Sequence, residues 1–149
     1  PGINGKMNEV QAAVGQIMLS YVEAERQKRK VLIETYDQIL KDVPGIMRMP
    51  YLENVKTNYQ YYVIRIDENV FGKSRDFIYD EFKKYNVFAR KYFHPLCSEY
   101  TCYRQLSSAT KEKLPVADKI GKEVLSMPLY GELSIEDVEK ICHIMLTFR

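Results

Sequence analysis

The sequence predicts an α+β domain in which helices cover a small antiparallel sheet, with a long helical segment at the N-terminus. Three observations carry this prediction. Apolar residues recur every three or four positions through most of residues 1–43, as on one face of a helix. Short runs of aromatic and β-branched residues follow, as in half-buried strands. Further stretches with helical spacing separate these runs, so helices and strands would form packed layers around one core.

Composition limits the class of protein. With 149 residues, of which 46% are hydrophobic and 28% charged, the chain suits one folded domain rather than two domains or a disordered tail. The 22 basic and 20 acidic residues leave a net charge of +2, which argues against a dedicated nucleic-acid binder. No run approaches the roughly 18 apolar residues of a membrane span. The sparse, odd set of three cysteines indicates a reducing compartment, so we expect a cytoplasmic protein.

The first helix begins after Asn8, which can form a capping box with Gln11. Met7, just before this cap, and Val10, Val14, Ile17, Met18 and Tyr21 fall three or four residues apart and form an apolar stripe on one face of the helix. Residues 23–30 are highly charged, and Glu25 and Arg29 stand at the i,i+4 spacing that supports a helix. A second apolar series then runs through Leu32, Tyr36, Ile39, Leu40 and Val43. The pattern fits either one long helix or two helices that meet near residues 21–24.

Two strands are predicted in the middle of the chain. Residues 59–67 are aromatic and β-branched, with Tyr62, Ile64 and Ile66 on one face. Residues 86–93 form the second predicted strand, with Phe88, Arg90 and Tyr92 on one side. His94-Pro95 ends this strand, because proline cannot donate to a ladder. A further short strand or turn is expected at residues 126–131, around Pro128.

Three more helices complete the prediction. Ser74 can cap a helix over residues 74–85 whose inward side chains are Phe77, Ile78 and Phe82. Pro115 suits the first turn of a helix that carries Val116, Ile120 and Val124. Ser134 starts the last helix, with one face lined by Val138, Ile141, Met145 and Phe148.

Residue spacing alone assigns no chemistry to the chain. No phosphate-binding or dinucleotide-binding glycine loop occurs. His94, Cys97 and Cys102 lack the paired C-x-x-C spacing of structural zinc sites, so we predict no metal site. At this point the sequence describes an α+β domain of open function.

Several motifs, taken together, resemble a known family. Residues 2–13 read GINGKMNEVQAA, which is similar to the G-x-N-x-R-M-x-E-x-x-A-A signature of pyridoxal-phosphate-dependent sugar aminotransferases, the DegT/DnrJ/StrS family. LPVA at 114–117, VLSMPL at 124–129 and LSIEDV at 133–138 follow in the order that the family shows. The resemblance covers essentially the whole chain.

The resemblance implies a fragment of a larger, homodimeric enzyme with a fold-type-I architecture. That enzyme would move an amino group, usually from glutamate, to a keto group of a nucleotide-linked sugar, with pyridoxal phosphate held by a lysine. The family places this lysine upstream of the signature. We therefore expect residues 1–149 to be a C-terminal domain, with 1–43 leading in from the cofactor domain and 44–149 forming a small α+β domain. Alone, it would contain no catalytic residue, bind no cofactor and be inactive.

The resemblance also assigns binding residues. Asn4 matches an asparagine that reaches the cofactor phosphate across the dimer. Substrate contacts are implied for Lys6, Tyr59, Gln60, Arg90 and Tyr92. Lys6 replaces a commoner arginine, and Gln60 and Tyr92 stand where the family has histidine.

Two other functions remain open from the sequence. The chain could be a non-enzymatic α+β interaction module that dimerises through its first helix. It could also bind single-stranded nucleic acid on strand aromatics, although a net charge of +2 disfavours this second alternative.

Overall fold

A computed structural model describes residues 5–52 and 54–149 of the chain. Its elements, in chain order, are α1 (Glu9–Leu40), β1 (Ile46–Arg48), β2 (Tyr62–Ile66), α2 (Glu68–Phe71), α3 (Arg75–Lys84), α4 (Pro115–Glu123), β3 (Val124–Met127) and α5 (Ile135–Leu146). One turn of 3-10 helix lies at Cys97–Glu99. The strands form an antiparallel sheet of order β1-β2-β3, which confirms the predicted fold class.

The N-terminal segment is one continuous helix of 32 residues, so the two-helix alternative is wrong. The predicted capping box is present, because the Asn8 side chain accepts from the Gln11 amide at 2.8 Å and the Gln11 side chain accepts from the Asn8 amide at 3.0 Å. Ion pairs of Arg26 with Glu23 and of Lys28 with Glu25 span one turn each within the charged stretch. These pairs support an unbroken helix there.

The two ends of α1 differ in burial. The C-terminal part packs against α5 and buries Leu32, Ile33, Tyr36 and Leu40. The N-terminal stripe stays exposed throughout, at Met7, Val10, Val14, Ile17, Met18 and Tyr21. Only the second apolar series therefore contributes to the core of this domain.

The central strand β2 carries the core face of the sheet. Tyr62, Ile64 and Ile66 are buried, as predicted, and the residues between them are half-buried. The strand is shorter than the predicted 59–67, because Tyr59 has a φ of +50° and breaks the extended backbone. Strand β1 pairs with β2 through Ile46 and Ile66, and its three residues gave no recognisable pattern in the sequence.

The predicted strand at 86–93 is not formed. Its backbone meets the sheet only at Arg90, which exchanges two hydrogen bonds with Ser126 of β3, at 2.9 and 2.8 Å. The alternation in the sequence is real, since Val87 and Ala89 are buried while Phe88 and Arg90 are exposed. A single bridge at the edge of the sheet is enough to impose that alternation. The sequence pattern therefore predicted a full strand where one residue pairs with β3.

The last strand begins earlier than predicted. It occupies Val124–Met127 and follows α4 without a connecting loop. Val124 therefore belongs to β3 and not to the preceding helix, while Val116 of that helix is exposed and Ile120 is half-buried. Of the predicted short strand or turn at residues 126–131, residues 126–127 belong to β3, residues 128–130 have no regular structure and a turn begins at residue 131.

Helices α3 and α5 start where the sequence indicated. The hydroxyl of Ser74 accepts from the Phe77 amide at 3.2 Å, and that of Ser134 accepts from the Asp137 amide at 3.0 Å. Their predicted inward residues are buried at Ile78, Phe82, Val138, Ile141 and Met145. Phe77 is an exception: it is exposed, with its ring edge-on to Phe148.

Within the described residues, no helix combines the length and the apolarity that crossing a bilayer requires.

Candidate functional site

An open cleft of about 930 Å³ lies between the segment that enters β2, the turn at residues 92–98 and helix α4. Its walls are mostly aromatic and apolar, with Tyr51, Tyr61, Tyr62, Tyr92, Phe93, Leu96, Leu114, Ala117, Ile120 and Val124. The polar residues at the cleft are few: Arg48, Asn58, Gln60 and Ser98. An apolar concavity with a few polar groups is the usual form of a small-molecule site. We call it the aromatic cleft.

One wall of the aromatic cleft is a set of packed rings. Tyr61 and Tyr92 meet edge to face, with ring centroids 5.2 Å apart. The ring centroid of Phe93 lies 4.1 Å from that of Tyr92. The side-chain amide of Gln60 donates to the Tyr61 hydroxyl at 3.3 Å. The wall thus offers ring faces beside an amide, which suits a ligand with both apolar and polar surface.

A buried arginine holds the opposite wall. The side chain of Arg75 is 2% exposed and donates to the backbone oxygens of Gly121 at 3.0 Å and Val124 at 2.7 Å. These carbonyls lie at the C-terminal end of α4, where the last backbone oxygens of a helix have no amide donor within the helix. Arg75 therefore fixes the end of the helix that lines the cleft.

The same cluster reaches the ring wall through Asp76. Its carboxylate accepts from Arg75 at 2.7 Å and pairs with Lys91 at 2.6 Å, directly before Tyr92. Burial alone would raise the pKa of Asp76, but hydrogen bonds from Lys91 and Arg75 outweigh it and lower the pKa below the usual range. Arg75 and Asp76 thus tie both walls of the cleft to the start of α3.

Arg48 is the one charged side chain among the described residues that line the aromatic cleft. It pairs with Asp37 at 2.9 Å, and its guanidinium lies 4.8 Å from the centre of the Tyr51 ring. Burial raises the pKa of Asp37, although hydrogen bonding from Tyr62 and the charge of Arg48 oppose the shift. Sequence reasoning missed Arg48 because it missed strand β1.

Three residues with predicted substrate contacts lie near one another. Gln60 and Tyr92 both line the aromatic cleft. Arg90 lines an adjacent pocket of about 340 Å³ to which Gln60 and Tyr61 also contribute. Tyr61 itself was missed, although its place beside the buried Tyr62 on a strand-like segment implies that it faces outward.

The other predicted residues lie elsewhere. Tyr59 does not line the cleft; it is half-buried against Tyr51, with the Arg26 guanidinium 5.6 Å from its ring centre. Lys6 is exposed and lines neither this cleft nor the adjacent pocket. Asn4, assigned to the cofactor phosphate, lies outside the described residues.

The lining of the aromatic cleft bears on cofactor and metal binding. None of the described residues that line it is a lysine, the side chain through which pyridoxal phosphate is attached. These residues do not fit the covalent attachment of that cofactor, and we assign no step of its chemistry to them. Within residues 5–52 and 54–149, no group of three or more His, Cys, Asp or Glu is arranged to hold a metal ion.

Comparison with known proteins places this chain in a family. The model of the DegT/DnrJ/EryC1/StrS aminotransferase family matches residues 1–146. The chain is 43% identical over 146 residues to a dTDP-4-amino-4,6-dideoxy-D-glucose transaminase of Escherichia coli, covering 98% of the chain and 39% of that protein. It is 33% identical over 140 residues to the protein of the same name from Shigella dysenteriae, covering 94% of the chain and 37% of that protein.

A solved structure agrees with these relatives. The crystal structure of DesI in the presence of its TDP-sugar product superimposes with a TM-score of 0.88 at 28% identity, covering 98% of this chain and 36% of DesI. The chain therefore spans less than two fifths of the length of the proteins it matches. The resemblance read from the sequence motifs is confirmed: the chain belongs to the DegT/DnrJ/EryC1/StrS aminotransferase family.

Proposed function

We propose that this chain is the C-terminal domain of a cytoplasmic, homodimeric, pyridoxal-phosphate-dependent enzyme that transfers an amino group from glutamate to a nucleotide-linked keto sugar. Its task is to form one wall of the substrate cleft. The observation that carries this proposal is the aromatic cleft with Gln60 and Tyr92, in a chain whose family match covers residues 1–146. The transaminases from E. coli and S. dysenteriae, whose names specify dTDP sugars, support this substrate class.

The residues of the cleft suit a nucleotide sugar. The rings of Tyr61, Tyr92 and Phe93 present apolar faces to a planar base or to the carbon face of a sugar. The amides of Asn58 and Gln60 offer donors and acceptors to hydroxyl groups. Arg90, in the adjacent pocket, is the cation that we assign to the diphosphate.

The proposal divides the work between this chain and the remainder of a longer protein. The cofactor, when bound, supplies the electron sink of transamination. Its lysine belongs to the remainder, so we expect the 149-residue chain alone to be inactive and to form no covalent pyridoxal adduct. Asn4 is proposed to reach the cofactor phosphate of the neighbouring subunit, and Lys6 and Tyr59 to contact substrate once the subunits are assembled.

An assay of the longer protein tests this proposal. The purified protein is given 2-oxoglutarate and dTDP-4-amino-4,6-dideoxy-D-glucose, and glutamate formation is measured. We expect activity in the longer protein and none in the 149-residue chain. Tyr92→Ala should lower kcat/KM about tenfold, mainly through KM, because it removes a binding surface. Tyr103→Ala, an exposed tyrosine away from the cleft, is the control. Equal kcat/KM in the two variants would contradict the assignment of Tyr92.

One observation favours the alternative of a non-enzymatic dimerisation module. The N-terminal part of α1 exposes a continuous apolar stripe, which includes Val14 and Ile17. A helix of this kind can pair with a second copy. The alternative predicts that the 149-residue chain sediments as a dimer, that Ile17→Glu makes it a monomer, and that the longer protein has no transaminase activity.

A further inference from the structure

We propose that a second pocket, between α1 and residues 58–60, is a binding site for a small oxyanion, a carboxylate or a phosphate, held by Arg29. The pocket has a volume of about 310 Å³ and is lined by Met18, Tyr21, Val22, Glu25, Arg26, Arg29, Asn58 and Gln60. It shares Asn58 and Gln60 with the aromatic cleft. The proposal concerns this chain alone and does not depend on transaminase activity.

Arg29 is the feature that points to a ligand. Its Nε is enclosed by protein and has no hydrogen-bond acceptor among the residues that the structure describes, a rare condition for a buried donor. The sequence predicts a partner, since Glu25 stands at the i,i+4 spacing on α1. That pairing is not formed: Glu25 pairs with Lys28 at 2.8 Å.

The position of Glu25 is fixed by a neighbouring loop. A Cβ placed on Gly131 would lie 1.8 Å from Glu25 Oε2, so the carboxylate packs directly against the glycine backbone. Lys28 also reaches Glu132 in the same loop, at 3.4 Å. The Glu25 carboxylate therefore contacts Gly131 and Lys28, and it forms no ion pair with Arg29.

The other cations on this part of α1 have acidic partners. Arg26 pairs with Glu23 at 2.6 Å, and hydrogen bonds from Arg26 and Gln27 lower the pKa of Glu23 to about 2. Lys30 pairs with Glu34 at 3.6 Å. Within the described part of the chain, no ion pair is formed by Arg29, so the pocket carries an uncompensated positive charge.

The opposite side of the pocket supplies neutral donors. Asn58 and Gln60 flank Tyr59, which has a φ of +50°, a conformation that costs energy in a bulky residue. Both residues line the pocket with Arg29. The Asn58 amide donates one hydrogen bond to Gln60 Oε1 at 3.4 Å and the Gln60 amide donates one to the Tyr61 hydroxyl at 3.3 Å, so each amide nitrogen keeps a second hydrogen for a ligand. A guanidinium fork together with two amides is a donor set that suits a carboxylate or a phosphate oxygen.

Titration of the 149-residue chain tests the site. Glutarate and inorganic phosphate, the two probes, are added separately at low ionic strength, and binding is followed by calorimetry. At least one probe should bind saturably, and the better one identifies the oxyanion. Arg29→Met should weaken its affinity by about tenfold or more, because a charge-assisted hydrogen bond is lost. Arg29→Lys should weaken it less, since the charge stays and the fork is removed.

Two further variants separate ligand binding from folding. Lys30→Met, on the same helix, should leave the affinity unchanged. Glu25→Gln should strengthen it about twofold or more, because a carboxylate at the pocket repels the anion. Circular dichroism shows whether each variant is folded; if Arg29→Met unfolds, the Arg29→Lys and Glu25→Gln titrations decide. Equal affinities in wild type and Arg29 variants, or no saturable binding of either probe, would overturn the proposal.

Discussion

Tyr36 of α1 and Tyr62 of β2 stack face to face, with ring centroids 4.7 Å apart and ring planes inclined by 13°. The Tyr36 hydroxyl donates to the Pro128 backbone oxygen at 3.0 Å, and the Tyr62 hydroxyl donates to Asp37 at 2.9 Å. The pair therefore joins the long helix, the central strand and the end of β3. Tyr62 also lines the aromatic cleft, so the pair connects that cleft to the core.

Truncation of Tyr36 should test this junction. Tyr36→Ala is expected to lower the free energy of unfolding by about 3–5 kcal/mol, because a buried aromatic ring is replaced by a cavity. Tyr36→Phe should cost about 1 kcal/mol, for the lost hydrogen bond. Urea denaturation measures both. Tyr21→Phe, on the same helix but 57% exposed, is the control. Similar costs for Tyr36→Ala and Tyr21→Phe would show that the stack contributes nothing.

The change in the free energy of unfolding caused by a glycine-to-alanine substitution should follow the steric conflict that the added Cβ meets. At Gly45, with φ of +85°, an added Cβ would lie 2.4 Å from the Phe71 backbone nitrogen, and Gly45→Ala should cost more than about 3 kcal/mol. Gly72 has φ of +91° but open space, so Gly72→Ala should cost about 1–2 kcal/mol. Gly15→Ala, within α1, should stabilise by about 0.5–1 kcal/mol. Thermal melts give the order, and any other order would contradict this geometry.

Removal of Arg75 should loosen one wall of the aromatic cleft. Arg75→Met leaves the Gly121 and Val124 carbonyls without their donor, so we expect a loss of about 2–3 kcal/mol and faster amide hydrogen exchange in α4. Lys91→Met should instead speed exchange at Tyr92 and Phe93, with little effect on global stability. Lys140→Met, which removes a surface pair with Asp137, is the control. Unchanged exchange in both walls would contradict the role of this cluster.

Thiol chemistry should distinguish the cysteines. Burial raises the pKa of the Cys142 thiol to about 12, so almost no reactive thiolate exists at pH 8. Cys97 and Cys102 are exposed. A chromogenic disulfide reagent at pH 8 should therefore modify Cys97 and Cys102 in the folded protein, and Cys142 only after denaturation. Rapid modification of Cys142 under native conditions would show that the α5 face opens readily.

The features that sequence predicts well here are those fixed by neighbours along the chain. Asn8, Ser74 and Ser134 cap their helices as expected, because a cap depends on residues two or three positions away. The helical face of Leu32 and Tyr36 follows from spacing in the same way. The resemblance to the family was carried by motifs and required no geometry.

The failures involve contacts between distant segments. Residues 86–93 alternate between buried and exposed positions as a strand does, yet only Arg90 among them pairs with the sheet. Alternating burial alone does not show how many backbone hydrogen bonds a segment forms with a sheet. Glu25 is spaced to pair with Arg29, but the remote Gly131 backbone and Lys28 hold its carboxylate elsewhere. Residues 59–67 were expected to form one strand, but the positive φ of Tyr59 turns the chain before β2 begins at Tyr62. None of these contacts is encoded in local spacing.

Binding of a nucleotide to the aromatic cleft is the most direct test of the proposed substrate wall. The isotope-labelled chain is titrated with dTDP and followed by nuclear magnetic resonance. We expect saturable shifts at the amides of Gln60, Tyr61, Tyr92 and Phe93, and little change at residues of α5 that face away. Shifts confined to other surfaces, or none at saturating nucleotide, would contradict the claim that this domain frames a nucleotide-sugar cleft.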